Sequence, residues 1–202
     1  MKIAVIGSGK LGGTLGGKWA EAGHDVVFGV REPERKRAER SAENPDIPFE
    51  AIHEAIVRSQ VVVFAVPASA MAGIVETHAD DLKGKILIDS TNDVGSAEMS
   101  HVGRLVTSAP GARVFRAFNS LGWENYADPT FGGERADLFY CGPEDTQASK
   151  VVEGLIQDIG LRPIRVGDLK QVPIVDSVLT LWFTLAVGRG LGRHSAFKVL
   201  ND

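Results

Sequence analysis

Short runs that are apolar at nearly every position alternate along the chain with longer stretches apolar on one side only. The short runs lie at 3–6, 26–30, 61–66, 86–89, 114–118, 138–140 and 164–166. Unbroken apolarity over so few residues predicts strands covered on both faces, as in a parallel sheet. The stretches 11–22, 51–59, 69–79 and 147–159 are long enough for helices. Regular alternation of the two predicts an α/β fold with a doubly wound, mostly parallel sheet.

Punctuation residues support these boundaries. Gly23 and Gly160 each follow a predicted helix, where a left-handed cap favours glycine. Pro67 follows a predicted strand and ends its ladder. After Val166 the pattern changes to one helix over about 172–187, then the glycine-broken run Gly188-Arg189-Gly190-Leu191-Gly192-Arg193. A tail of this size is no domain. Residues 1–202 are therefore expected to form a single domain, with 172–202 as a C-terminal helical extension beside the C-terminal ends of the strands. Leu179, Leu181, Trp182, Phe183 and Leu185 make that helix apolar nearly all round, which predicts burial on several sides and a homodimer interface.

Composition narrows the class. At 202 residues the chain buries enough surface to fold without disulfide or metal, and its single cysteine, Cys141, excludes an internal disulfide. A net charge of -4 gives no reason to expect nucleic acid or an anionic membrane as partner. The apolar start Met1–Gly7 is too short for a signal peptide, and no stretch reads as the roughly 20 apolar residues of a membrane span. The most apolar late segment, 174–187, carries Asp176 and Ser177. A cytoplasmic protein is expected.

The chemistry begins at Gly7-Ser8-Gly9-Lys10-Leu11-Gly12, a G-x-G-x-x-G run directly after the first strand and opening the first helix. That context turns a weak pattern into a dinucleotide-binding expectation on a Rossmann-type sheet. Gly7 makes the tight turn, Gly9 lets a pyrophosphate approach the backbone, and Gly12 lets helix and strand pack closely. The helix N-terminus offers free N–H groups to the phosphates. Gly13, Gly16 and Gly17 add further glycines inside the helix; each costs about 0.5–1 kcal/mol relative to alanine, so close packing must compensate.

NAD-preferring sites carry an acid at the end of the second strand, for the adenosine ribose. Here that position reads Val30-Arg31, which favours the 2′-phosphate of NADP(H), with Arg35 or Lys36 as a second cation. Two readings compete with this. Glu32 stands one residue away, and Arg35 to Arg40 is a mixed charge run of the kind found on solvated helix faces.

With these residues placed, the chain resembles the NADPH-dependent reductases of the deazaflavin coenzyme F-420 (F420) and related bacterial dinucleotide-binding oxidoreductases. The resemblance runs through KIAVIGSGKLGG, Gly29–Pro33, VVVFAVP, ILIDSTN, RAFNSLG, DLFYCG and the tail GLGRHSAFKVL. It implies hydride transfer between NADP(H) and a stacked deazaflavin or flavin-like ring, with no catalytic side chain or metal required. It also implies that Ala65, Val66, Pro67, Asn92, Ala117 and Asn119 line the cofactor, and that Ala68, Ser69, Ser120 and Leu121 line the acceptor pocket. The chain departs from the family at Val30, which replaces a serine of the 2′-phosphate site, and at Ser69, which replaces an aromatic ring beside the acceptor.

His24, His53, His78, His101 and His194 show no metal-type spacing; His24 reads as structural, and only His194 is a candidate pocket residue. Cys141 reads as a small core residue. Asp89-Ser90-Thr91-Asn92 reads as turn capping, and Trp123 and Trp182 as core or interface anchors. Three alternatives to F420 reduction remain: flavin reduction, reduction of a small organic substrate, and an NADP(H) sensor without turnover. The small residues Ala65, Ala68 and Ala117 favour an open acceptor pocket and hence an enzyme. A hydroxy-acid or imino-acid dehydrogenase would need a positioned acid–base residue that the chain does not display.

Overall fold

The structure, a computed structural model, describes residues 1–39 and 47–201; Arg40 of the charge run and Asp202 lie outside the described residues. The first half of the chain alternates strand and helix: β1 (Lys2–Ile6), α1 (Lys10–Glu21), β2 (Asp25–Val30), α2 (Pro33–Ala38), β3 (Phe49–Ala51), α3 (Ile52–Arg58), β4 (Val61–Phe64), α4 (Ala68–Thr77), α5 (Ala79–Leu82) and β5 (Ile86–Asp89). It continues with α6 (Val102–Ser108), β6 (Arg113–Arg116), α7 (Trp123–Ala127), the hairpin strands β7 (Thr130–Phe131) and β8 (Glu134–Arg135), β9 (Asp137–Cys141), α8 (Thr146–Asp158), β10 (Arg162–Gly167) and α9 (Val172–Phe183).

One sheet orders its strands β10-β9-β6-β5-β4-β1-β2-β3. All neighbours are parallel except β6 and β9, which meet antiparallel at Arg116 and Cys141. The stretch from β3 to β6 is the Rossmann order, wound outward in both directions from the β1–β4 junction. Strand period 2 explains the unbroken apolar runs. Ile3, Val5, Val61, Val63, Ile86 and Ile88 face one core, with Trp19, Leu155 and Trp182. Ala4, Ile6, Val62, Phe64 and Leu87 face the other, with Ile56, Met71 and Leu105. Neither face of these strands meets water, so alternation never arises.

The capping glycines behave as predicted, with φ of 86° at Gly23 and 91° at Gly160. Asp145 caps α8 through the Gln147 and Ala148 amides, each 3.0 Å from its Oδ1. The strands predicted over 61–66 and 114–118 stop at Phe64 and Arg116. Beyond them the apolar residues lie outside the ladder, Ala65 and Val66 half-buried and Ala117 and Phe118 buried. The short α2, α6 and α7, the edge strand β3 and the β7–β8 hairpin carry too few residues for their period to stand out.

Helix α9 is shorter than the predicted 172–187 and passes into a π-helical turn at Thr184–Gly188. Together with the preceding 3₁₀ turn it makes a helical stretch, Leu169–Gly188, that by length and a mean hydropathy of 1.4 alone is long and apolar enough to cross a membrane, although Lys170 and Asp176 interrupt it. In the fold Leu179 and Trp182 of this stretch lie in the core, while Ile174, Leu181, Phe183 and Val187 are exposed. The chain after it runs along α7 and the start of β9. Trp182 Nε1 donates to the Ser195 carbonyl at 2.7 Å, Arg193 Nε to Glu124 at 2.6 Å, and the Val199 amide to Asp137 at 2.6 Å.

Candidate functional site

At the β1–β4 junction the two chains leaving the sheet turn to opposite sides and open a cleft. A cavity of about 740 Å³ fills it, lined by Gly7, Ser8 and Gly9 after β1, Val30 and Arg31 after β2, and Ala65, Val66 and Pro67 after β4. Crevices of this kind, outside the carboxyl ends of the strands, are where open α/β sheets bind ligands.

The glycines fit the roles that their spacing predicts. Gly7 has φ +100°, and a Cβ there would stand 2.5 Å from the Ala65 carbonyl oxygen. A Cβ on Gly12 would collide with the Gly7 carbonyl, so helix and loop can approach only without a side chain. Gly9 is different: nothing lies within 4 Å of the Cβ position. Its backbone faces open space, as a ligand phosphate requires. Gly16 shows where a mid-helix glycine is compensated, since a Cβ would meet the Phe28 ring at 2.7 Å. The start of α1 has neither a side-chain cap nor an acidic residue in its first turn, which leaves its N–H groups and positive dipole end to an anion.

The cations of the second-strand end divide into two kinds. Arg31 is exposed on the cavity and makes no ion pair among the described residues. Arg35 also borders the cavity, but Glu32 and Glu39 hold its guanidinium at 2.5 Å each. The hydrogen bond to Glu32, then that to Glu39, raises its pKa above the ordinary value. Lys36 bonds Glu39 at 3.0 Å. Arg31 thus faces the cavity with no ion pair among the described residues, while the α2 side chains form a solvated ion-pair face. Glu32 is committed to Arg35 rather than presented alone.

The other predicted site residues separate clearly. Ser69 lines the cavity, joined by Ile52, Ala70, Gly73, Ile74, Thr77 and His78, which the sequence did not single out. Ala68 sits at the start of α4, its carbonyl 2.9 Å from His101 Nε2. Lys10 and Leu11 point away from the cavity: Lys10 Nζ stands 5.1 Å over the Trp123 ring, and Leu11 packs on the core. Ala117, Asn119, Ser120 and Leu121 are buried and do not line the cavity. His194 is remote from it, stacked on Phe131 at 4.4 Å.

The burial of this last group has a cause that lies outside its own segment. Arg116, wholly buried at the end of β6, bonds Asp176 of α9 through Nε at 2.8 Å and Nη2 at 2.7 Å. It also meets the Asp89 carboxylate at 3.4 Å, the Thr91 carbonyl at 2.5 Å and Asn92 Oδ1 at 2.8 Å. Asn92 in turn donates to the Asn119 carbonyl at 2.9 Å, and Asn119 to Asp176 at 3.2 Å. Burial raises the Asp176 pKa, and Arg116 pulls it back. Phe118, at φ 60°, is a non-glycine residue in the left-handed region, held there by edge contacts to Trp19 and Tyr126. Thus the loops after β5 and β6 are clamped under α9. Register puts Phe64, Asp89 and Arg116 side by side, so this network borders the cavity wall at the end of β4. The signal in the sequence was a charged residue inside an apolar strand end.

Residues 2–93 match the family described as NADP oxidoreductase, coenzyme F420-dependent. The F420-dependent NADP reductase of Methanothermobacter thermautotrophicus is 28% identical to the chain, with 100% of the chain and 95% of that protein aligned. Metalloreductase STEAP3 of Rattus norvegicus is 26% identical over 88% of the chain, which spans 36% of that relative's length. A crystal structure from Arthrobacter sp. FB24, provisionally named an F420-dependent NADP reductase, superposes with a TM-score of 0.83 at 26% identity, covering 100% of both chains.

Proposed function

From the kinship of this chain with the coenzyme F420-dependent NADP oxidoreductases, we propose that it is an NADP-dependent oxidoreductase passing hydride between NADP(H) and a stacked deazaflavin or flavin-like acceptor. The observation that carries the reading is the cavity at the β1–β4 junction, with open space over Gly9 at one point and the uncompensated Arg31 at another. The Gly7–Gly9 backbone and the first N–H groups of α1 hold the pyrophosphate. Arg31 holds the 2′-phosphate as a planar cation on a short tether from β2. Ile52 and Ile74 supply apolar walls for the adenine.

The nicotinamide end falls to Ala65, Val66 and Pro67, with Asn92 and Asn119 behind them holding the shape of that wall. Ser69 and Ala70 are small and leave room for a second ring. Bound NADPH supplies hydride from its C4, and a solvent proton balances reduction of the acceptor. The protein contributes geometry, with reacting atoms brought to about 3–3.5 Å and water kept from between them. The exposed Ile174, Leu181, Phe183 and Val187 support a homodimer joined along α9.

Stopped-flow absorbance with NADPH tests the reading, offering F420 and then FMN or FAD. Rapid bleaching of F420, far faster than of flavin, is expected. Reduction of flavin alone would move attention to Ser69. Tight NADPH binding with no transfer to either acceptor would overturn the assigned acceptor class in favour of a sensor or a small organic substrate.

A further inference from the structure

At the far wall of the cavity, where His78 lines it, three side chains from different elements converge. His53 lies in the first turn of α3, His78 at the junction of α4 and α5, and Asp81 within α5. His53 Nδ1 is 2.9 Å from Asp81 Oδ2, and His78 Nδ1 is 3.6 Å from the same oxygen. The two imidazoles lie roughly parallel, 6.1 Å apart with 26° between planes. One ligand atom from each of the three residues lies within 4.8 Å of the others.

Hydrogen bonding accounts for only part of this arrangement. The 2.9 Å contact is a good bond, whereas 3.6 Å exceeds the ordinary range. Two ring nitrogens are therefore aimed at one carboxylate oxygen, and one of them is unserved by it. A cation at the centre would satisfy all three. Tetrahedral zinc bonds of about 2.0–2.2 Å to nitrogen and oxygen put neighbouring ligand atoms roughly 3.3–3.5 Å apart. The observed 2.9 and 3.6 Å bracket that separation.

We propose that His53, His78 and Asp81 bind a divalent transition metal of the zinc class, with water in the fourth position. Two imidazoles with one carboxylate select this class over calcium or magnesium, which take oxygen ligands. The His78 and Asp81 side chains are 13% and 27% exposed, a fixed half-site, while that of His53 is 57% exposed and free to close over an entering ion. The metal would tie α3 to the α4–α5 junction. Both elements border the cavity, through Ile52 and through Ile74, Thr77 and His78. The site stands on its own ligands, whatever the cavity accepts.

Cobalt(II) and zinc titrations of the full-length, untagged, chelator-treated protein decide the matter. One equivalent of cobalt should give the strong visible absorption of a four-coordinate ion, and zinc should displace it. Calorimetry should give one zinc per chain, with micromolar or tighter affinity. His53→Gln and Asp81→Asn should each weaken zinc at least about tenfold, as loss of a metal partner does. Zinc should raise the melting temperature of the parent protein and not of Asp81→Asn. His53 is half exposed, so its variant is expected to fold and keeps the test decisive should Asp81→Asn not. No zinc binding at 100-micromolar order, or binding unchanged in both variants, overturns the site and assigns any uptake to another histidine.

Discussion

Two parts of one sheet edge are built on opposite principles. At the ends of β1, β2 and β4 the polar groups are left facing outward: bare backbone at Gly9, helix N–H groups without a side-chain cap, a guanidinium with no ion pair among the described residues. At the ends of β5 and β6, one and two strands further along, the polar groups turn on one another. There Arg116 spends its donors on Asp89, Thr91 and Asn92 and on Asp176 of α9 above them. The first region is unfinished until a ligand arrives. The second is held by its own ion pairs and hydrogen bonds, with Ser90 Oγ, Asn119 Oδ1 and Ser120 Oγ left buried without a hydrogen-bond partner, and so can serve as a wall for the first.

The largest expected break in this contrast is Arg116→Ala. It leaves Asp89 and Asp176 buried without their cation, and loss of one partner of a buried pair costs about 3–5 kcal/mol. Urea denaturation should show a much lower midpoint; an unchanged midpoint would mean that the network is incidental.

The Cys141 thiol reports on the same closed region. Burial pushes its pKa up to about 12. At pH 8.5 its thiolate fraction should be about a thousandfold below that of a free cysteine. Alkylation should be correspondingly slow in the native protein and fast in urea. The folded state holds this proton more tightly, so its ionisation lowers stability as pH rises from about 8.5 towards 12. Melting curves across that window should shift downward, and by less in Cys141→Ala.

On the open side, Arg31→Ala should weaken NADPH by about 10- to 100-fold while leaving NADH nearly unchanged, the range for a charged hydrogen bond. Equal losses for both would place the 2′-phosphate elsewhere. The smallest effect is expected for Arg35→Ala, below about threefold for NADPH, because exposed ion pairs already occupy that guanidinium. Fluorescence titration of NADPH measures both variants.

The same contrast explains what could be read in advance. The glycine loop is a local object, with Gly7 to Gly12 and the flanking strand and helix inside twenty residues, so spacing alone specified its conformation. Arg31 follows directly from the end of β2. The Arg116 to Asp176 contact spans 60 positions, and no pattern within either segment announces the other. Hence Ala117, Asn119, Ser120 and Leu121 looked available on strand-end logic, while the helix that covers them is set by a long-range ion pair. His78 was missed for a related reason: its partners come from different elements, not from a motif.

Synthesis order gives the Arg116 network another consequence. The ribosome delivers Arg116 sixty residues before Asp176, and Asp89 earlier still. Until that carboxylate emerges, the nascent sheet holds a guanidinium with only part of its counter-charge, and sealing the β5–β6 end would strand it. The N-terminal strands can therefore pair early, but closure over them waits for the last helix. The ion pair thus makes the arrival of α9 a condition for completion of the fold.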